Sequence, residues 1–127
     1  MMKLIVLPDH FSVLKLDPQE DIPSWVFKNK HFVSVTYTDE ELSIVCPESL
    51  VPEGLEGEVE QGWRCLKVEG PLDFSLTGIL AALANPLAEA GVGIYALSTY
   101  NTDYLLVKKE QIEMAIRTLK DAGHQLN

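Results

Sequence analysis

Hydrophobic and polar positions follow two different patterns in the two halves of this 127-residue chain. In the first half, short apolar runs alternate with polar residues, as at 31–37, where Val33, Val35 and Tyr37 are separated by Ser34 and Thr36. A period of two is typical of half-buried strands. The pattern therefore predicts a β-rich first half with strands over residues 3–7, 11–16, 31–37 and 42–46.

The second half opens with a strand over residues 63–70 and continues with a helix. Ser75 or Thr77 is predicted to cap the helix start, and Gly91 to end it in a left-handed conformation. Pro86 removes a backbone hydrogen bond inside the helix, so we expect a kink or a division there. Four apolar residues lie at i, i+3, i+4 and i+7, the stripe that faces a core: Leu80, Leu83, Ala84 and Leu87.

A hairpin and a second helix complete this half. Strands are predicted over residues 92–99 and 103–108 with a turn at 100–102, and a helix from Glu110 to Gly123 precedes a short strand at 124–127. The second helix has its own apolar stripe: Ile112, Ala115, Ile116 and Leu119. The resulting α+β order is βαββαβ, an antiparallel sheet with both helices on one face.

The segment between the halves is rich in residues that interrupt regular structure. Residues 47–62 contain two prolines, three glycines and five glutamates, which favours a connection over a strand or a long helix. We therefore predict a β-rich half over residues 1–60 and a second domain over residues 61–127.

Charge and composition exclude several function classes. The formal net charge of −9 argues against nucleic acid as a partner, because phosphate binding requires clustered cations. No apolar run approaches the length of a membrane span, so we expect no membrane partner and a cytoplasmic location. Cys46 and Cys65 are predicted to be reduced, partly buried thiols. The three histidines lie far apart in the sequence, so no metal is expected. No Gly-rich phosphate loop occurs, so no other cofactor is expected either.

Hydroxyl, amide and carboxylate groups cluster at the hairpin turn and at the start of the first helix. A helix N-terminus attracts a ligand carboxylate, and Asp103 suits a ligand amino or guanidinium group. An alternative stays open, since the same residues serve as helix caps and turn formers, as Asp73 does. The candidate ligand-binding residues are Thr77, Gly78, Ile79, Ser98, Thr99, Asn101, Thr102 and Asp103.

Three segments carry a resemblance to a known family. Residues 77–81, 85–92 and 98–104 together resemble an ACT domain of the subgroup that contains the CASTOR arginine sensors and the aspartate kinase regulatory modules. The resemblance covers residues 63–126 and implies a ferredoxin-like ACT fold. The first half looks like a degenerate ACT-like copy. The family's usual role implies a free amino acid bound at an interface between two such units, a homodimer, and a protein partner that is regulated.

Two functions from different classes remain at this point. The first is a regulatory or sensor module that binds an amino acid. The second is a small enzyme such as a transferase, which would use the same pocket with Asp103 or a cysteine as its catalytic group. No Cys-His or carboxylate pair occurs at a recognisable spacing, and this favours the first function.

Overall fold

The computed structural model describes residues 2–70 and 77–127, which contain eight strands and two α-helices. Spatial contacts divide the chain into a first unit, Asp9–Trp63, and a second unit, which joins the residues up to Pro8 to Arg64–Asn127. The elements in chain order are β1 Lys3–Val6, β2 Phe11–Leu16, β3 Ser34–Tyr37, β4 Leu42–Pro47, β5 Glu58–Val68, α1 Ile79–Glu89, β6 Tyr95–Ser98, β7 Asp103–Lys108, α2 Ile112–Asp121 and β8 Gln125–Leu126.

The first unit is a sheet in the order β3-β4-β2-β5, with a short 3₁₀ helix at Ser24–Phe27. β2 pairs antiparallel with β4 along its whole length and with the first residues of β5. Alternate residues of β2 and β4 form a core with one residue of the 3₁₀ helix: Leu14, Leu16, Leu42, Ile44, Cys46 and Val26.

The second unit is a sheet in the order β6-β7-β5-β1-β8, to which β5 contributes its last residues. Both helices contribute to one core with the strands, so they cover the same face of the sheet, and the predicted α+β fold is confirmed. The sheet is mixed and not purely antiparallel as predicted, because β1 pairs parallel with β8. The buried core residues are Leu4, Leu66, Val68, Leu83, Leu87, Val92, Leu105, Val107, Ala115 and Leu119.

β1 lies between β5 and β8 in the second unit. It pairs antiparallel with β5, with Leu4 opposite Val68, and parallel with β8. The predicted boundary between two domains at residue 60 stays a prediction. β5 nevertheless begins at Glu58, inside the segment predicted as a connection, because pairing with β2 stabilises an acidic sequence as a strand.

The boundaries of α1 are set by glycines. Gly78 occupies the N-cap with φ +75° and no side-chain cap, so the predicted cap at Thr77 is wrong, while Ser75 lies outside the described residues. At the other end, Gly91 has φ +77°, and the N–H of Val92 donates to the carbonyl of Leu87 at 2.9 Å. This is a Schellman motif, and it confirms the predicted left-handed stop.

One predicted core residue of α1 is misplaced. Leu83 and Leu87 are fully buried, whereas Leu80 is 36% exposed. The stripe runs through positions four apart, so partly buried Ile79 in the first turn precedes Leu83 on the inner face. Leu80, one position further along the helix, is rotated away from the core.

Pro86 does not divide α1, which continues over eleven residues from Ile79 to Glu89. Pro86 has no N–H for the carbonyl of Ala82, four residues earlier. His124 Nε2 lies 3.3 Å from that carbonyl oxygen, and His124 Nδ1 accepts the N–H of Met2 at 3.0 Å. Because a backbone N–H can only donate, the ring's hydrogen belongs on Nε2, where it bonds to the carbonyl. A side chain thus replaces the missing helical hydrogen bond.

Candidate functional site

The hairpin that carries most of the predicted polar residues is closed by hydrogen bonds across its turn. Ser98 and Asp103 form the last pair of β6 and β7, and the Ser98 hydroxyl donates to Asp103 Oδ1 at 2.6 Å. Within the turn, the Thr99 N–H donates to the Thr102 carbonyl at 2.9 Å, and the Thr99 hydroxyl approaches the same oxygen at 3.2 Å. Asn101 is exposed at the tip. These bonds hold the Asp103 carboxylate at the base of the turn.

Thr102 fixes this turn to the neighbouring strand. Its side chain is 3% exposed, and its hydroxyl donates to the Val68 carbonyl at 2.6 Å. Val68 is the last residue of β5, so the turn lies at the edge of the sheet where β5 ends. Sequence reasoning placed Thr102 in the site for its polarity, but its hydroxyl is used to position the hairpin.

The start of α1 lies at the same edge of the second unit's sheet. The Ala82 carbonyl in the first turn of α1 contacts His124, which accepts the Met2 N–H. The adjacent Lys3 carbonyl accepts the N–H of Glu69, the residue after Val68. A continuous set of contacts therefore leads from the helix start to the end of β5, where Thr102 is bound.

Backbone N–H groups supply the positive character of this edge. The first intrahelical bond of α1 joins the Ala82 N–H to the Gly78 carbonyl at 2.9 Å, so the preceding N–H groups have no acceptor within the helix. Thr77 and Gly78 are exposed and Ile79 is half-buried. A Cβ built at Gly78 meets no atom within 4 Å, which leaves the backbone open to a ligand on that side. Together with Asp103, the edge offers donors for an anion and a carboxylate for a cation.

His124 is the residue of this region that sequence reasoning missed. It was interpreted only as an isolated histidine, although it lies directly after Gly123, whose φ of +96° ends α2. The His124 N–H donates to the Leu119 carbonyl at 3.0 Å, which completes a Schellman motif and positions the ring. The available signal was Pro86, because a proline inside a helix leaves a carbonyl that needs a donor from elsewhere.

Thr102→Val should lower the free energy of unfolding by about 1–3 kcal/mol. Valine has nearly the same shape as threonine but no hydroxyl, so the buried Val68 carbonyl loses its donor. Thr99→Val removes a longer bond at an exposed residue and should cost less than about 0.5 kcal/mol. Urea unfolding measures both changes, and the m-value should be the same in the native protein and both variants. Equal losses in the two variants would show that Thr102 does not fix the turn.

Both cysteines are free, which confirms the prediction of reduced thiols, but they are fully buried and not partly buried as predicted. Burial raises the pKa of Cys46 to about 11 and that of Cys65 to about 12, from an ordinary value of 9.0. Nucleophilic catalysis requires a lowered thiol pKa. The raised values argue against either cysteine as a catalytic group.

The buried thiols predict that stability falls at alkaline pH. Above pH 9 the unfolded chain releases thiol protons that the folded chain retains up to about pH 11, so the free energy of unfolding decreases as the pH rises through this window. Denaturant titrations between pH 8 and 10.5 should show a steeper decrease for the native sequence than for Cys46→Ala/Cys65→Ala. Parallel profiles would contradict this prediction, since the two proteins differ only at the two thiols.

Two further observations limit the chemistry of the described residues. Over residues 2–70 and 77–127, no group of three His, Cys, Asp or Glu side chains is arranged to hold a metal ion. No helix in the same ranges is long and apolar enough to cross a membrane. Asp73, which is predicted to be a turn residue, lies outside these residues.

Comparisons with known proteins match both parts of the chain. A family model of the ACT domain matches residues 58–121, just over half of the chain, and a model of an N-terminal domain matches residues 9–54. The human cytosolic arginine sensor for mTORC1 subunit 1 is 37% identical over 75 residues, which cover 58% of this chain and 22% of the sensor. The mouse protein is 35% identical over 83 residues, covering 65% and 24%. The chain thus spans less than a quarter of the length of these curated relatives.

Solved structures extend the similarity to the whole chain. Protein Atu0741 from Agobacterium tumefaciens is 39% identical with a TM-score of 0.91, and the match covers 99% of this chain and 92% of that protein. The ligand-free regulatory subunit of aspartate kinase from Thermus thermophilus has a TM-score of 0.63 at 15% identity, covering 91% and 93%, and shares the fold. The family-model match and the one-faced α+β sheet together show that this chain belongs to the ACT domain family.

Proposed function

We propose that this protein is a regulatory module that binds a free amino acid at the edge where β5 ends. The strongest support comes from the contacts made by Thr102, Val68 and His124. These contacts connect the α1 start with the turn that holds the Asp103 carboxylate. An amino acid is a zwitterion, and it needs an anion site and a cation site close together. Helix N–H groups and a carboxylate supply these two sites.

Each candidate residue has a role in this proposal. The N–H groups after Thr77 and Gly78 bind the ligand carboxylate, with Ile79 as an apolar wall, while Asp103 binds the ligand amino group. Ser98 donates to Asp103 at 2.6 Å and holds it in position. Asn101, Thr99 and the backbone at Thr102 provide the remaining polar contacts.

The relatives suggest which ligand to test first and where the module acts. The human relative is named a cytosolic arginine sensor, so arginine is the first candidate for this chain, and the cytoplasm is the proposed location. We further propose that two copies pair as a homodimer and that ligand binding regulates a partner protein. Light scattering with and without arginine tests the pairing.

Thermal-shift screening against the twenty amino acids tests the proposed function. A ligand that binds only the folded state adds about 2.7 kcal/mol of stability at a hundredfold excess over its Kd, so at least one amino acid should raise the melting temperature at millimolar concentration. Asp103→Asn should weaken binding at least about tenfold, since it removes the partner of the ligand's positive charge.

Glu110→Gln is the matched control, because it removes one carboxylate from an exposed residue just before α2. The neighbouring Gln111 Nε2 donates to the Gly91 carbonyl, just after the end of α1, so Glu110 lies away from the α1 start. The ligand should shift the melting temperature of this variant as it shifts that of the native protein. The absence of any shift, or an equal loss in both variants, would refute the proposed site.

A further inference from the structure

The net negative charge of this protein comes from the first unit. Residues 9–63 contain twelve of the 19 carboxylates and three of the ten lysines and arginines, while the rest of the chain has seven of each. The first unit therefore accounts for the whole formal charge of −9, and the second unit is balanced. Between Lys30 and Arg64 the sequence has no lysine or arginine. A charge distribution of this kind attracts a cationic partner to one unit.

The loop between β4 and β5 is fixed at both of its ends. The Gly62 N–H donates to Glu48 Oε2 at 3.1 Å, which joins the first loop residue to β5. Gly57, the last loop residue, has φ +136°, and a Cβ there would lie 2.8 Å from a Leu16 methyl group and 3.0 Å from the Lys15 carbonyl. The loop is thus held against β5 at its start and against β2 at its end.

This loop borders an open cleft of about 430 Å³ whose walls combine polar and aliphatic surface. Val51, Leu55 and Val59 are half-buried and pack against the first unit's core, and they provide aliphatic surface. Glu53 is the carboxylate among the residues that line the cleft. The full lining is Val51, Pro52, Glu53, Gly54, Leu55, Gly57, Val59 and Gln61.

Further carboxylates lie on the same loop and strand. Glu56, Glu58 and Glu60 are exposed, and Lys15 lies opposite Glu58 in the register. Because strand residues alternate between faces, Glu58 and Glu60 lie on the opposite face of β5 from Val59, so they add to the charge of the unit and not to the lining of the cleft. Aliphatic surface beside the Glu53 carboxylate fits a lysine or arginine side chain, whose stem is apolar and whose head is charged.

We propose that this cleft docks a basic segment of a partner protein, with one lysine or arginine side chain inserted toward Glu53. Charge complementarity selects this occupant over an acidic or neutral chain. The proposal concerns the first unit only and does not depend on the amino-acid site.

Fluorescence anisotropy of the full chain with a labelled eight-residue lysine peptide at low salt tests the proposal. Glu53→Gln should weaken binding at least about fivefold, while Glu40→Gln, an equal charge change at an exposed residue between β3 and β4, should change it less than about twofold. Equal effects of the two substitutions, or no binding by the native chain, would overturn the assignment to the cleft.

Two further measurements distinguish binding in the cleft from general electrostatic attraction to the acidic unit. A peptide of eight 2,4-diaminobutyrate residues has amines on shorter stems, and it should bind at least about fivefold more weakly because its stems contact less of the aliphatic wall. Free lysine at millimolar concentration should leave the peptide bound. Equal binding of both peptides, or displacement by free lysine, would reject a docking site for a basic protein segment.

Discussion

His124→Ala is expected to lower the free energy of unfolding by about 2–4 kcal/mol, because two backbone groups lose their partner at once. The ring lies 3.3 Å from the Ala82 carbonyl oxygen and accepts the Met2 N–H at 3.0 Å, while its own exposure is 8%. Chemical unfolding followed by circular dichroism measures the loss.

A double-mutant cycle with Pro86→Ala tests the reason for this effect. Alanine at position 86 restores the N–H that the helix needs for the Ala82 carbonyl, so one of the two groups no longer depends on His124. The loss caused by His124→Ala should then be smaller by about 1 kcal/mol in the Pro86→Ala background. The same loss in both backgrounds would mean that the histidine does not replace the helical bond.

Gly57→Ala is expected to lower the free energy of unfolding by about 2–4 kcal/mol, through a backbone conformation that L-residues rarely adopt and through steric overlap. Its Cβ would lie 3.0 Å from the Lys15 carbonyl, which belongs to a paired strand and cannot move alone. The measurement is urea unfolding of the full chain.

Gly54→Ala is the matched control in the same loop. Its φ of +74° is also left-handed, but a Cβ there meets no atom within 4 Å. It should therefore cost only the conformational term of about 1–2 kcal/mol. Equal destabilisation by both substitutions would show that the close contact with β2 contributes nothing.

The elements of the second unit were predictable because their signals are local. The apolar stripe of α2 and the glycine that ends each helix act within a few residues of the element they define. Leu80 shows the limit of this reasoning, since a helical stripe about 100° wide does not identify the residue on its margin. The strand start at Glu58 was missed for a different reason, because it depends on pairing with β2, more than forty residues away in sequence.

The types of residue in the candidate site could be predicted from the sequence, but their arrangement in space could be predicted less well. Polar turn residues identified the hairpin, and the resemblance to ACT domains identified the α1 start. Two positions depend on long-range contacts that no spacing rule contains: the Thr102 hydroxyl bonds to Val68 and the His124 ring bonds to Met2. Their partners are 34 and 122 residues away in the chain.

The position of β1 has a consequence for the order of folding. Leu7 donates to the Cys65 carbonyl at 2.9 Å and accepts from Arg64 Nη2 at 3.2 Å, so the residues that flank the first unit on either side are adjacent. In topological terms, residues 9–63 are an insertion within a single β-hairpin. Loop closure costs entropy that grows with loop length, and a folded insertion brings the hairpin strands together in advance. We therefore expect the first unit to fold before β1 joins its sheet, so mutations that slow the first unit should also delay completion of the second.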